Sequence, residues 1–275
     1  MSIKYIILYI FILIIIININ YYSIDGFTEK KRMAIIIRGE SFRIGSQGNR
    51  NIGSNESYEQ QKVASATHNK LAEKIESLGY VVDIYIDSYS TKYDNDLLSF
   101  YGSRVKKSKF HTTHLESQQA LIKDSINLLE DSLNNYEVLL IIRIDLFLKD
   151  QYINEYNPDV KTIQFINPLW IATGKTLKGN PRVNDVILHY PKDYYNKLYI
   201  LYTNIGKNHM HDMLDNTDLI YYTNYSFLTN NFHDSDSQKD FNPYYKMINR
   251  LENSVWHDAG KKFPKDFIDL ESKPL

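Results

Sequence analysis

Arginine and glycine residues are concentrated directly after the first long β-branched run of the main region, Met33 to Ile37. The members of this group are Arg38, Gly39, Arg43, Gly45, Gly48, Arg50 and Gly53. Guanidinium groups bind phosphate through paired hydrogen bonds, and glycine lets the backbone approach a phosphate closely. The segment contains neither Gly-Lys-Ser/Thr nor Gly-x-Gly-x-x-Gly, so two established nucleotide motifs are absent. Two interpretations stay open: a flexible surface loop, or a ligand-binding loop in which Arg38, Gly39 and Arg43 contact phosphate.

A second group, Arg143-Ile144-Asp145, ends the most apolar segment after the N-terminal region, Val138 to Ile142. An unpaired charge beside such a run is costly to bury, so both side chains need partners. One interpretation is a structural ion pair between Arg143 and Asp145. The other is that Asp145 binds a magnesium or manganese ion that carries a nucleotide diphosphate, because these ions prefer oxygen ligands.

Histidines and acids cluster in the C-terminal half, in His209-Met210-His211-Asp212 and in His233-Asp234-Ser235-Asp236. Neither cluster has HExxH spacing, which disfavours a zinc protease, and both are compatible with solvated loops. Asp185 precedes a predicted strand, where it either belongs to a site or begins the strand. A Gly-x-Ser-x-Gly nucleophile elbow is absent, and no cysteine is present to act as a nucleophile.

Composition excludes several other classes. The net charge of −1 offers no basic excess for nucleic acid. The absence of cysteine excludes disulfides and thiolate zinc sites without deciding the compartment.

The N-terminal segment is continuously apolar from Tyr5 to Ile17, and Lys4 precedes it. A membrane-spanning helix needs about 20 apolar residues, so the run is at the short end. A cleaved signal peptide is the alternative, although the following residues lack a small-residue cleavage pattern. We expect a signal-anchor or signal peptide plus linker over residues 1–27 and a single α/β domain over residues 28–275.

The elements that must position these groups alternate between strand and helix. Strands are predicted at Met33 to Ile37, Val81 to Ile86, Tyr136 to Ile144, Lys161 to Ile166 and Val186 to His189, and helices at Tyr58 to Leu78, Leu115 to Leu133 and Asp193 to Leu201. Strand–helix–strand order is typical of right-handed βαβ units. We therefore predict a Rossmann-like α/β fold, with a mostly parallel sheet and helices on both faces, preceded by one N-terminal apolar helix. Ligands of such sheets bind beyond the carboxyl ends of the strands, where Arg38 and Asp145 fall.

Taken together, these segments resemble a small glycosyltransferase family with a GT-A-type fold, of a kind that includes uncharacterised viral and algal proteins. Ile35-Ile36-Ile37-Arg38-Gly39 is similar to the family's first strand and nucleotide-contacting loop, and Arg143-Ile144-Asp145 takes the place of its Asp-x-Asp metal motif. Arg182 to Asp185, with Tyr190 to Asp193, resembles the acceptor-side strand and helix. Asp234 to Asp236, with Asn242 to Tyr245, resembles a C-terminal segment that returns a histidine or acid to the metal.

The resemblance implies transfer of a sugar from a nucleotide-sugar donor to a glycan or protein acceptor. Arg38, Gly39, Arg43 and Arg143 would bind the donor, and Asp145, His233 and Asp236 would bind a divalent cation, manganese or magnesium. Asp145 would act at the leaving group, and Asp185 or Asp234 would be the acceptor-side base. Because Arg143 stands where the motif has its first acid, either Asp145 alone contacts the metal or Arg143 supplies the positive charge.

Two other classes stay open: a membrane-tethered carbohydrate- or nucleotide-binding domain without catalysis, and a phosphate-ester hydrolase. The hydrolase needs more clustered carboxylates and histidines than any one strand end offers. The apolar segment predicts a single pass through an endomembrane or host membrane near the N-terminus, or secretion if the segment is cleaved.

Overall fold

The computed structural model of the chain describes residues 10–14, 30–44, 51–115, 117–166, 186–196, 221–223 and 244–247. The chain divides into two units, Met1–Lys31 and Arg32–Leu275. In the first unit, residues 10–14 form a short helix, α1, with exposed apolar side chains. Within the described residues, no helix has both the length and the apolar character required to cross a membrane. The long N-terminal helix is therefore not confirmed, and the division at residue 27 stays a prediction.

The second unit contains eleven described strands and four described α-helices. The helices are α2 (Asn55–Ser77), α3 (Asp94–Tyr101), α4 (Gln118–Asn127) and α5 (Asp150–Glu155). The strands are β1 (Arg32–Gly39), β2 (Arg43–Ile44), β3 (Asn51–Ile52), β4 (Val81–Tyr89), β5 (Val105–His111), β6 (Val138–Arg143), β7 (Leu146–Leu148), β8 (Ile163–Phe165), β9 (Ile187–Pro191), β10 (Tyr221–Thr223) and β11 (Tyr245–Met247). Short 3-10 turns occupy Gly102–Arg104, Glu130–Asn135 and Lys192–Tyr194.

Seven of the described strands form one sheet in the order β10-β8-β9-β6-β1-β4-β5. Strands β5, β4, β1 and β6 are mutually parallel, and β10 is parallel to β8. Strand β9 runs antiparallel to both of its neighbours, β6 and β8. The predicted Rossmann-like, mostly parallel sheet is confirmed, with one reversed strand that the apolar pattern did not indicate.

The central strands are buried on both faces, which explains their continuous apolar sequences. On one face, Ile35 and Ile37 pack with Leu71 and Ile75 of α2. On the other face, Ala34 and Ile36 pack with Ile122 of α4. Helices therefore cover both faces, as predicted.

Helix α2 begins at a capped terminus, because the side chain of Ser54 accepts a hydrogen bond from the backbone N–H of Ser57. It ends before Gly79, whose φ of +91° favours glycine. The predicted helix Leu115 to Leu133 is shorter than expected: α4 ends at Asn127, and a 3-10 turn follows from Glu130. Asp193 lies in the 3-10 turn after β9, and most of the helix predicted there lies outside the described residues.

Candidate functional site

The order of the strands defines a crevice between β1 and β6. From β1 the chain adds β4 and then β5 on one side, and afterwards returns to add β6 on the other side of β1. Ligands of open α/β sheets bind at such a reversal, beyond the carboxyl ends of the strands. Arg38 of β1 and Arg143 of β6 are register partners at this edge. The structure thus brings two of the predicted donor-binding residues together.

Gly39 allows β1 and the end of β6 to lie close together. Its φ is +128°, and a Cβ atom at this position would lie 3.1 Å from Cγ2 of Ile144. The backbone N–H of Ile144 donates to the carbonyl oxygen of Arg38 at 2.7 Å. A side chain at position 39 would therefore strain the backbone and push against the segment that carries Asp145.

Arg143 and Asp145 form a bidentate ion pair. Nε of Arg143 donates to Oδ1 of Asp145 at 2.9 Å, and Nη2 donates to Oδ2 at 2.5 Å. The two side chains are 10% and 4% exposed. This confirms the structural ion pair that the sequence left open, and it means that a metal ion at Asp145 has to compete with the guanidinium group.

Buried polar side chains of α2 hold the segment after β6 in place. Nε2 of Gln61 donates to the carbonyl oxygen of Ile144 at 3.0 Å, and Oγ1 of Thr67 accepts from the N–H of Leu148 at 3.0 Å. At the next residue, burial lowers the pKa of His68 to about 4, so this histidine is neutral at pH 7. A polar stripe on α2 therefore fixes the backbone around Asp145.

The first part of the loop after β1 is packed against the domain. Arg43 forms an ion pair with Glu40, and both side chains are buried. Oγ of Ser88 donates to Oγ of Ser41 at 3.0 Å. Phe42 has a φ of +50° and is fully buried in an aromatic cluster. Residues 40–44 are therefore held by specific contacts, unlike the flexible surface loop that one interpretation of the sequence predicted.

The aromatic cluster around Phe42 consists of four rings. The ring centroid of Phe42 lies 5.7 Å from that of Tyr58, 5.0 Å from that of Tyr93 and 6.3 Å from that of Phe100. Such pairs contribute about 0.5–1.5 kcal/mol each beyond the buried area. The cluster ties the loop to α2 and α3.

A second polar group lies at the same edge of the sheet, on β4, β5 and α4. Nε2 of His111 lies 2.7 Å from Oδ1 of Asp87 and 3.3 Å from Oδ2 of Asp124. Ser125 donates from Oγ to Oδ2 of Asp87 at 2.6 Å. Burial raises the pKa of Asp87, while the hydrogen bonds from Ser125 and His111 oppose this rise.

Sequence reasoning missed this group, which we call the Asp87–His111–Asp124 cluster. The available signal was Asp87, an acid at the end of an apolar strand, as Asp145 is. His111 lies on β5, a strand that the sequence did not predict, and Asp124 lies on a helix with no distinguishing motif. Three separate elements supply the residues, so no local spacing joins them.

A cavity of about 100 Å³ lies beside β8 and β9. Aromatic and polar side chains line it, among them Tyr152, Tyr156, Phe165, Gln164 and His189. Nδ1 of His189 lies 2.9 Å from the hydroxyl of Tyr156, and Nε2 lies 3.1 Å from the carbonyl oxygen of Val160. Because the carbonyl oxygen of Val160 can only accept a hydrogen bond, Nε2 of His189 carries the proton and Nδ1 accepts from the hydroxyl of Tyr156. Burial lowers the pKa of His189 to about 4.

The remaining predicted site residues, Asp185, His233, Asp234 and Asp236, lie outside the described residues. The described segments that follow these residues along the chain are Val186, directly after Asp185, and β11, which begins nine residues after Asp236. Val186 accepts a hydrogen bond from the N–H of Arg143 at 3.0 Å. Strand β11 pairs with β7, so that Met247 is the register partner of Leu146. Both contacts bring the chain back to the segment that carries Arg143 and Asp145.

No protein-family model matches the sequence, and no curated protein matches it. Among solved structures, an active-site mutant of LgtC matches at 10% identity and a TM-score of 0.44, over 88% of this chain and 95% of that one. A Drosophila β1,4-galactosyltransferase 7 mutant, in complex with manganese, UDP-Gal and xylobiose, matches at 10% identity and a TM-score of 0.42, over 86% and 79%. A glycosyltransferase involved in the glycosylation of the major capsid of PBCV-1 matches at 9% identity and a TM-score of 0.39, over 70% and 82%.

Proposed function

We propose that the chain is a glycosyltransferase that moves a sugar from a nucleotide-sugar donor to a glycan or protein acceptor. The observation that carries the proposal is the register pairing of Arg38 and Arg143 at the ends of the two strands that border the crevice. The side chain of Arg143 is 10% exposed and that of Arg38 is buried at the sheet edge, so Arg143 would contact the diphosphate of such a donor and Arg38 would add positive charge at the topological reversal. A leaving nucleoside diphosphate gains negative charge as the sugar departs, and fixed positive groups stabilise that charge.

Arg143 and Asp145 would act in sequence on the diphosphate. The phosphate oxygens compete with Asp145 for the guanidinium group, because both bind the same planar set of donors. A carboxylate released in this way is a ligand for magnesium or manganese on the same diphosphate. This order joins the two alternatives that the sequence left open, since Arg143 supplies positive charge first and Asp145 binds the cation afterwards.

The acceptor side would lie toward β9 and the cavity beside it. Tyr152, Tyr156 and Phe165 offer aromatic rings, and Gln164 offers an amide, a combination that suits a sugar ring with apolar and polar faces. Asp185 directly precedes Val186, whose carbonyl oxygen accepts a hydrogen bond from the backbone N–H of Arg143. Asp185 or Asp234 would accept the acceptor's hydroxyl proton in an inverting reaction.

His233 and Asp236 are proposed as further metal ligands on the donor side. The support is the pairing of β11 with β7, which places Tyr245–Met247 beside the strand that follows Asp145. The test replaces His233 by Ala and Asp236 by Asn, and it assays sugar transfer across a manganese titration. A metal requirement unchanged by both substitutions would remove them from the site.

A thermal-unfolding screen of the full-length chain tests donor binding. UDP-, GDP- and CMP-sugars would each be added in EDTA and again with manganese. A ligand at 100 times its dissociation constant should raise the melting temperature by about 5 °C. The proposal would be overturned if none of these nucleotide-sugars raised the melting temperature.

Product analysis separates the remaining classes. A nucleotide that stabilises the chain without any sugar reaching an acceptor or water favours the non-catalytic binding domain. Release of free sugar or phosphate without transfer favours a hydrolase. Transfer to a glycan or protein acceptor, followed by mass spectrometry, supports the proposal.

We also propose that the apolar run from Tyr5 to Ile17 delivers the domain to an endomembrane or host membrane, with secretion as the result of cleavage. The support is the composition of the run. Alkaline carbonate extraction of expressing cells distinguishes an anchored chain from a released one. N-terminal sequencing of the mature chain shows whether cleavage occurs.

A further inference from the structure

The Asp87–His111–Asp124 cluster gathers three metal-binding side chains from three elements. Asp87 lies near the end of β4, His111 ends β5 and Asp124 lies on α4. One ligand atom from each residue lies within 4.8 Å of the other two. Asp87 is fully buried, and the side chain of His111 is 8% exposed.

The spacing of these atoms is close to that of a coordination shell. Ligand atoms about 2.0–2.2 Å from a tetrahedral ion are separated from one another by roughly 3.3–3.6 Å. The 3.3 Å between His111 and Asp124 already has this value. The 2.7 Å between His111 and Asp87 has to lengthen by about half an ångström, which a small side-chain rotation provides.

We propose that Asp87, His111 and Asp124 bind a divalent transition-metal ion. One imidazole nitrogen with two carboxylate oxygens favours zinc or manganese over magnesium and calcium, which take oxygen ligands. Ser125 holds the second oxygen of Asp87, an arrangement that orients ligands in protein metal sites. The proposal does not depend on the donor crevice, because its three residues differ from Arg143 and Asp145.

The ion would link the edge strand β5 to β4 and α4. Among the described strands, β5 is the last on its side of the seven-stranded sheet and pairs with β4 alone. A metal that joins β4, β5 and α4 removes conformational freedom at this edge, so it should stabilise the native state against unfolding.

Lys109 makes a sharper test possible. Its ammonium group contacts Oδ2 of Asp124, and the side chain is 45% exposed. A positive charge that contacts a ligand of the ion repels the bound cation. Lys109→Met should therefore tighten metal binding about five-fold, with the effect falling as ionic strength rises.

The experiment uses the full-length chain, freed of metal by chelation and titrated with Zn²⁺, Mn²⁺ and Mg²⁺ without nucleotide. Calorimetry and thermal unfolding both report binding. Zn²⁺ or Mn²⁺ should bind with a stoichiometry near one and raise the melting temperature by about 5 °C at saturation, and Mg²⁺ should bind at least ten-fold more weakly. Equal binding of all three ions, or none, would overturn the proposal.

Variants locate the ion. His111→Ala and Asp124→Asn should each weaken binding at least ten-fold, and Asp124→Asn keeps the test valid if His111→Ala fails to fold. His114→Gln removes a neighbouring exposed histidine, and Glu73→Gln removes an exposed carboxylate, so both controls should bind as the wild type does. Wild-type affinity in His111→Ala and Asp124→Asn would show that the cluster is only an ion pair.

The crevice is excluded separately. Without nucleotide, Asp145 stays paired with Arg143 and is not released to bind a cation, so Asp145→Asn should leave the affinity for the metal alone unchanged. Loss of binding in Asp145→Asn, with retention in Asp124→Asn, would overturn the proposal and place the ion at Asp145. Nucleotide binding in EDTA, measured on the same preparations, shows whether the donor site fails independently.

Discussion

Arg38 and Asp87 are register partners near the ends of the neighbouring parallel strands β1 and β4. Arg143 and Lys109 continue the same row on β6 and β5. One carboxylate therefore stands among three cationic residues across four strands. Arg38 lies between the two polar groups of this edge, the Arg143–Asp145 pair and the Asp87–His111–Asp124 cluster.

The Arg143–Asp145 pair should show strong energetic coupling. Removing one partner leaves a buried charge, which typically costs about 3–5 kcal/mol, whereas replacing both can be close to neutral. We expect Arg143→Met and Asp145→Leu each to lower the free energy of unfolding by about 3 kcal/mol, and the double variant to lose less than their sum. Urea unfolding of the four proteins gives the coupling energy. Additive effects would show that the pair is not formed in solution.

Donor binding should depend on the planar group of Arg143. Arg143→Lys keeps the charge but loses the two-pronged geometry, so nucleotide-diphosphate affinity measured in EDTA should fall at least ten-fold. The matched control is Arg104→Lys, because Arg104 makes a similar bidentate pair with Glu76. Equal nucleotide affinity in both variants would contradict the assignment of Arg143 to the diphosphate.

Substitutions at Gly39 and Gly79 distinguish the effect of backbone strain from the effect of steric contact. Both have positive φ, but a Cβ atom meets Ile144 at position 39 and nothing within 4 Å at position 79. Alanine at either position should lower stability by about 1 kcal/mol through strain. Gly39→Ala should cost more and should also weaken nucleotide binding, whereas Gly79→Ala should leave binding intact. Identical losses in stability would show that β1 and Ile144 lie further apart.

Phe42 offers a test of backbone conformation in the loop after β1. Its φ of +50° favours glycine, so Phe42→Gly should be at least as stable as Phe42→Ala, the reverse of the usual order. Both variants lose the aromatic contacts and should be about 3–5 kcal/mol less stable than the wild type. Denaturant midpoints measured side by side decide the order. A clearly more stable alanine variant would indicate that residue 42 has a negative φ.

Acid should destabilise the domain through its buried histidines. The pKa values of His68 and His189 are lowered to about 4, from 6.5 in the unfolded chain. The unfolded state therefore binds protons first, and stability present above pH 6.5 is lost as pH falls toward 4. The loss is roughly 2 kcal/mol per histidine at pH 5. Urea unfolding should show this slope, and His189→Gln should make it shallower; an unchanged slope would contradict the burial of neutral His189.

The apolar strands at the centre of the sheet could be predicted because their burial on two faces is written as continuous β-branched runs. Helix α2 could be predicted because its apolar positions repeat at helical spacing and Gly79 follows. The edge strand β5 could not: its Val105-Lys106-Lys107-Ser108-Lys109 sequence looks solvated, and lysines are common on strands that face solvent. The direction of β9 was equally hidden, because an apolar run has the same composition in either orientation.

Site residues could be predicted only where they lie at the end of a strand that the sequence also predicts. Arg38, Gly39, Arg143 and Asp145 each follow or end a recognisable strand, so the edge rule for α/β sheets grouped them. Whether Arg143 and Asp145 bind each other or a ligand depends on distances that the sequence does not contain. His111 was out of reach, because its place at the edge depends on a strand that side-chain pattern alone did not reveal.

The reversal of β9 has a consequence for how such a protein can change. Since β8 and β9 are antiparallel neighbours, the chain leaves β8 at Phe165 and re-enters the sheet at Ile187 on the same edge as the crevice. Doubling the length of a connection costs only about 0.6 kcal/mol in closure entropy. The part of this stretch that precedes Asp185 and Val186 can therefore be lengthened, shortened or exchanged while every described strand keeps its partner. Under the proposed function, new acceptor preferences would arise there by recombination or design, without rebuilding the scaffold that holds Arg38 and Arg143.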